Sequence, residues 1–158
     1  MNKKILWATV VAAALLSSCK TDTEDDLKQM TSSVQGLYIN EVFTSNPDWV
    51  ELYNSSDAKM DLGGFILQDD KGAAEEYIIP ANTTIAAKGF IVFENGSSFQ
   101  FGLGSKGDKV ILLDAERVKI DDISTPNFGE DKGKSYARIP NGSENWQTVN
   151  NPTKGMSN

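Results

Sequence analysis

Beyond residue 35 the sequence predicts an all-β fold, an antiparallel sandwich or barrel, and three observations point there. Short apolar or β-branched runs recur along the chain, and clusters of Gly, Asn, Asp, Ser and Pro separate them. No window of a dozen residues after Val34 carries an i, i+3, i+4, i+7 apolar stripe free of breakers, so helix is expected to be scarce. Leu37–Phe43 and Trp49–Asn54 are the first two expected strands. Residues 65–67, 77–79, 83–85, 89–93, 109–113 and 118–120 supply six more, with breakers such as Ser45-Asn46-Pro47-Asp48 and Glu94-Asn95-Gly96 between them. The runs 89–93 and 110–113 are nearly continuous rather than alternating, which places both centrally, covered on two faces.

The chain has 158 residues, enough for one domain of ordinary size. Histidine is absent and cysteine occurs once. Those counts remove Ser-His-Asp and Cys-His catalysis, His-ligated metals and intramolecular disulfides. With 22 acidic against 15 basic residues, a nucleic-acid partner is not expected, because phosphate binding needs clustered Lys and Arg. No cofactor is expected.

The N-terminus reads as an address. Lys3 and Lys4 precede a twelve-residue run from Ile5 to Leu16 interrupted only by Thr9. That run is too short to span a bilayer and has the length of a signal-peptide core. Leu16-Ser17-Ser18-Cys19 resembles the lipobox of bacterial lipoproteins, so residues 1–18 are expected to be a signal peptide and Cys19 the lipid attachment site. Cleavage there would remove Lys3 and Lys4 and no acid, taking the net charge from −7 to −9. Two or more acyl chains hold a protein stably at a membrane. The stretch from 19 to 35, with Asp22, Glu24, Asp25 and Asp26, is expected to be a disordered acidic tether. Fifteen such residues span about 20 Å. Lys20, where an aspartate would favour inner-membrane retention, points to an outer-membrane lipoprotein on the periplasmic face or the cell surface.

From Gly36 to Asn158 the residues resemble the lamin tail domain family. Leu37-Tyr38-Ile39-Asn40-Glu41-Val42 is similar to its opening strand, and Asp48-Trp49-Val50-Glu51-Leu52-Tyr53-Asn54 to its "W-[IV]-E-L-Y-N" signature. Met60-Asp61-Leu62-Gly63-Gly64-Phe65-Ile66-Leu67 resembles its "D-L-S-G-W-x-L" segment, and Thr84 to Phe90 its "L-A-P-G-aromatic" turn. Ser135-Tyr136-Ala137-Arg138-Ile139-Pro140-Asn141-Gly142, followed by Trp146, resembles its late "S-x-x-R-x-P-x-G…W". The family often closes with Thr-Pro-Gly and, a few residues on, Asn. Here Thr153-Lys154-Gly155 and Asn158 stand there, and lysine in place of proline implies a looser turn. The resemblance implies an immunoglobulin-like β-sandwich over 36–158. Its bacterial members sometimes stand beside nuclease or phosphatase modules, which implies an attachment or recognition role.

Three constellations could carry chemistry. Strict alternation puts Glu41 on one face with Leu37, Ile39 and Phe43, partly inward, with Glu51 on the neighbouring strand. A buried carboxylate needs a partner, and Arg138 in the late motif is the candidate, giving a structural network of Glu41, Glu51 and Arg138. The sharper reading makes the two glutamates a glycosidase-type acid/base pair. Asp69-Asp70, Asp121-Asp122 and Glu130-Asp131 are hard oxygen ligands suited to calcium, although none follows a known calcium-loop pattern and solvated surface is the simpler reading, so no metal is expected. Trp49, Tyr53 and Trp146 could form an outward aromatic surface for a sugar ring. The reading as a whole is a lipid-anchored, noncatalytic binding or scaffolding module that contacts an envelope protein or a glycan. The alternative is a small carboxylate-dependent hydrolase, with or without assistance from calcium.

Overall fold

The structure, a computed structural model, describes residues 32–129 and 132–158. Its strands, in chain order, are β1 (Leu37–Phe43), β2 (Trp49–Asn54), β3 (Met60–Asp61), β4 (Ile66–Gln68), β5 (Glu76–Ile78), β6 (Thr84–Ile85), β7 (Phe90–Glu94), β8 (Lys109–Leu113), β9 (Lys119–Ser124), β10 (Ser135–Arg138) and β11 (Trp146–Val149). A single 3-10 turn, Gly72–Ala74, is the one helical element among the described residues. These strands pair antiparallel with one another, and an isolated parallel bridge joins Asn95 to Phe99. One sheet runs β11-β10-β1-β2-β7, the second β5-β4-β8-β9, and β3 pairs with β6 alone.

The expected strands all form, with ends shifted by a few residues. Strands β3, β10 and β11 were not among them, because each is short and lacks a continuous apolar run. The two sheets close on one apolar core. Leu37, Ile39 and Val42 of β1, Val50 and Leu52 of β2 and Phe93 of β7 share a buried cluster with Leu67 of β4 and Val110 and Leu112 of β8. Each such side chain contributes about 1.5–3 kcal/mol on full burial. Ile85 of β6 and the loop residues Leu62, Ile79, Phe99, Phe101 and Leu103 join the same cluster. Phe99 stacks on Phe101 at 4.6 Å, and Tyr77 of β5 tilts against Phe93 of β7 at 5.6 Å, tying one sheet to the other.

Two expectations need correction here. Of the two continuous apolar runs, β8 lies inside its sheet, but β7 is an edge strand whose Phe90, Ile91 and Val92 are only partly buried. Its one neighbouring strand supplies aromatic cover, Phe90 stacking on Tyr53 of β2 at 4.9 Å. Past Glu94 the chain folds back, with Ser98 N–H donating to Glu94 C=O and Gly96 N–H to Phe99 C=O, and this blunts the exposed edge. The end of the expected tether is likewise docked. Ser32 Oγ donates to Asp114 at 2.6 Å, and Val34 packs against the core.

One irregularity in β1 positions everything that follows. Its pairing with β2 shifts between Ile39 and Glu41, so that Asn40 is the extra residue of a β-bulge. Before the bulge Leu37 and Ile39 face the core, and after it Val42 does. Strict alternation would have sent Glu41 inward with Leu37 and Ile39. The bulge turns it to the outer face instead.

The ladder between β1 and β10 covers Glu41 to Phe43 and leaves the backbone of Ile39 without a strand partner on that side. Two side chains complete it. Ile39 N–H donates to Asp121 Oδ2 at 2.9 Å, and Arg138 Nε donates to Ile39 C=O at 2.8 Å. The same Arg138 binds both carboxylate oxygens of Asp121 at 3.0 Å, donates to Ser143 C=O, and lies 4.7 Å from the Trp146 ring centroid and 5.4 Å from that of Tyr38. Asp121 is on β9, so this buried pair links the two sheets at the bulge. The expected partnership of Arg138 with Glu41 is therefore corrected: the bulge points Glu41 to the opposite face, and Asp121 takes the guanidinium. Burial pushes the Asp121 pKa up against the Arg138 charge, so the pair depends on both members being present. Arg138→Ala strands a buried carboxylate and a backbone carbonyl, and urea denaturation should show a loss of about 3–5 kcal/mol. A midpoint unmoved by the substitution would show the pair to be idle.

Candidate functional site

The outward face of the five-stranded sheet is laid out by register. Glu94, Trp49 and Phe43 form one row across β7, β2 and β1, Val92, Glu51 and Glu41 the next, and Phe90, Tyr53 and Tyr38 the third. Glu41 and Glu51 stand directly opposite each other, and both are fully buried. Like charges directly opposite on adjacent strands are destabilising unless donors surround them.

The donors come from three places. Ser135 Oγ on β10 donates to Glu41 Oε1. The bulge residue Asn40 donates its Nδ2 to Glu51 Oε1 at 2.9 Å and to Asn141 Oδ1 at 3.1 Å, while its own Oδ1 accepts from Gly142 N–H at 3.1 Å. Gly142, at φ +69, lies so close to the Tyr38 and Tyr53 rings that a Cβ would approach within 3.1 Å of the first. The rest come from the C-terminal segment, residues 150–158, which crosses this face as a strap. Thr153 donates N–H and Oγ1 to Glu41, the latter at 2.8 Å, and Gly155 N–H donates to Glu51 Oε2 at 2.7 Å. Lys154 pairs with Glu94 and sits 6.0 Å from the Trp49 ring centroid. Asn158 Nδ2 donates to Asn40 C=O and Arg138 C=O, at 3.3 and 3.0 Å, closing the strap onto the bulge.

Met156 N–H returns to Thr153 C=O at 2.8 Å, with Gly155 at φ +78 as the third residue of that turn. Glycine suits the third position of such a turn and proline the second, where Lys154 stands. The looser turn expected from lysine is offset by its ion pair to Glu94. Burial pushes the Glu51 pKa up to about 7; the bonds from Asn40 and Gly155 oppose this, and the neighbouring Glu41 charge adds to it.

The aromatic residues are not brought together as one open surface. Trp49 does face outward but is only 3 % exposed, stacked on Phe43 at 5.4 Å and covered by the strap. Tyr53 is half-buried against Phe90, and Trp146, on β11, stacks on Tyr136 at 5.1 Å. Alternation located the outer face correctly and could not show that the chain's own end lies over it.

Of the acidic pairs, Asp69 and Asp70 gather a third carboxylate, Asp108, all within 4.8 Å of one another. The antiparallel pairing of β4 with β8 brings the turn before Lys109 beside the turn after Gln68, a juxtaposition no spacing announces. Asp69 resists its burial through bonds from the Lys71 amide and ammonium, which hold its pKa below the usual range. Asp108 accepts from the Gly104 and Lys109 amides. Asp121 is taken by Arg138, and Asp122 binds Lys119 and Lys109, whose hydrogen bonds hold its pKa down. Glu130 and Asp131 lie outside the described residues, as does Cys19.

A family model described as Lamin Tail Domain matches residues 30–127, and the chain belongs to that family. The matched span stops before β10, while the structure carries the same sheet on through β10 and β11. No curated protein matches the chain.

Two measurements probe this face. With a folded pKa near 7 against an ordinary 4.5, Glu51 holds its proton more tightly in the folded state. Its contribution to stability is therefore most favourable below about pH 4.5 and declines as pH rises to 7. The chain has no histidine to obscure that window. Melting temperature should fall between pH 5 and pH 8, and Glu51→Gln should flatten the slope. Glu51→Gln should also lower the melting temperature at pH 5, because its amide nitrogen must confront either Asn40 Nδ2 or Gly155 N–H. Glu41→Gln should be better tolerated, since two of its donors are hydroxyls that can rotate to accept. For the acidic cluster, Asp69 and Asp108 are already engaged as turn acceptors, so melts with EDTA and with excess calcium should coincide. A calcium-dependent rise of several degrees would assign it a cation.

Proposed function

We propose that this lamin-tail-domain chain is a lipid-anchored, noncatalytic binding or scaffolding module of the bacterial cell envelope, contacting a protein or a saccharide. The observation that carries the noncatalytic part is the state of the two glutamates. Acid/base hydrolysis needs two carboxylates open to a cleft that admits substrate and water. Glu41 and Glu51 are fully buried, and main-chain and hydroxyl donors fill their oxygens. The cleft beside Tyr77 and Phe101, about 280 Å³, is lined by neither. The immunoglobulin-like sandwich of this family supports a recognition role.

The lipid anchor is supported by the sequence around Cys19 alone. A lipidated cysteine holds the domain at the membrane by acyl chains and leaves the sandwich in water, where strand edges and loops are available for contact. The test uses the full precursor expressed with its own leader. Mass spectrometry of the mature N-terminus should find acylated Cys19, and Cys19→Ala should move the protein from the membrane to the soluble fraction. Pull-down from detergent-solubilised envelope should then recover a specific partner with the acylated protein. Recovery of background alone, together with silent glycan arrays, would remove the binding role.

A further inference from the structure

Loops at one end of the sandwich enclose a cleft of about 490 Å³. It is larger than the one beside Tyr77 and Phe101 and falls within the about 300–1,000 Å³ of small-ligand sites. It lies where β1 ends, about 20 Å along that strand from Leu37, at the opposite end of the sandwich from Ser32. Phe43, Thr44, Ser45 and Asn46 line it from the end of β1 and the turn that follows, Ser105 and Lys132 from two other loops. Ser45 Oγ accepts from Gly133 N–H at 3.3 Å and ties two of these segments together. Phe43, stacked on Trp49, is the aromatic part of the lining.

Size matters less than what the polar side chains do. In the cleft beside Tyr77 and Phe101 they are spent, Glu75 on Lys71, Glu76 on Arg117 and Ser98 on the Glu94 N–H. Here, among the described residues, the side chains of Thr44, Asn46, Ser105 and Lys132 have no hydrogen-bond or ion-pair partner. Thr44 is only 5 % exposed, yet its hydroxyl is not sealed from water. Other polar residues this buried, such as Asn40, Asn54 and Asp69, are engaged. Lys132 is the one charged residue lining the cleft, and the carboxylates of the adjoining loops do not answer it. Asp48 is held by the Leu103 amide, and Asp108 by those of Gly104 and Lys109.

We propose that this cleft is a saccharide subsite, and that the sugar it takes carries a carboxylate, as a uronic acid unit does. The proposal rests on the binding-module reading and gives its saccharide branch a location. Two hydroxyls and an amide both donate and accept, which matches the ring hydroxyls of a sugar. An ammonium only donates, and a carboxylate is the sugar substituent that answers it with opposite charge. The aromatic side chain gives the apolar face of the ring a surface to lie on. Loops held by a rigid sandwich are where such unspent groups serve recognition.

The test is NMR titration of the full mature chain, held in detergent micelles, with methyl glucuronide and with methyl glucoside, its neutral counterpart. The glucuronide should shift the amide signals of Ser45, Ser105 and Gly133 and bind the more tightly. Lys132→Ala should weaken it by roughly two- to fivefold, the range an exposed ion pair commands, and leave the glucoside unaffected. Thr44→Val and Ser105→Ala should each weaken both sugars by roughly two- to tenfold, the net worth of one hydrogen bond. Because these side chains have no partner in the fold, the melting temperatures of all three variants should match the unaltered chain, separating a lost ligand group from a damaged domain. Unmoved cleft signals at millimolar sugar, equal affinity for the two sugars, or a preference for the acid that survives Lys132→Ala would overturn the proposal. So would an acidic peptide that shifts these amides where the glucuronide does not, which would make protein the occupant. An envelope partner captured equally by the unaltered chain and by the triple variant, with silent cleft signals, would remove this cleft and leave the binding-module reading standing.

Discussion

Two carboxylates held opposite each other on adjacent strands, away from water, are the constraint around which this molecule is arranged. A desolvated, like-charged pair is unfavourable by several kcal/mol unless hydrogen-bonded. The sheet supplies only part of the answer, through Ser135 and Asn40. The remaining donors are the amides of Thr153 and Gly155 and the Thr153 hydroxyl, so the end of the chain must lie across the sheet. Asn158 then fixes the strap to the bulge that turned Glu41 outward in the first place. Bulge, carboxylate pair and strap form one mutually dependent unit.

Much of the architecture could be read in advance. Apolar runs bounded by turn residues located eight strands, and the family resemblance supplied the sandwich and the late motif that became β10 and β11. What periodicity could not supply was the single inserted residue. Counting by twos from Leu37 puts Glu41 in the core, and only the shift at Asn40 corrects it. The same one-residue error misdirected Arg138, whose carboxylate partner proved to be Asp121 on the other sheet. Apolar content alone also overstated the burial of β7, because an apolar run can sit at a sheet edge with cover from one neighbouring strand only.

The site was legible in fragments. Glu41 and Glu51 stood out as carboxylates among apolar neighbours, yet all their donors but Asn40 lie about a hundred residues away in sequence. A signal for them existed in the closing Thr153, Gly155 and Asn158, which keep the family's pattern around a lysine where proline is usual. Trp49 illustrates the reverse failure. Its outward orientation was correct, but exposure depends on what crosses above it, and no local pattern encodes that.

The placement of β1 has a mechanical corollary. It is the first strand after residue 32, yet it lies inside the sheet, with β10 along one side and β2 along the other. Tension entering the fold from that end and directed along the strand meets two antiparallel ladders that must shear together, with the Arg138–Asp121 clamp bearing load at Ile39. A pull on that end is thereby taken up by the most firmly woven thread of the sheet, and not by an edge that could be peeled away.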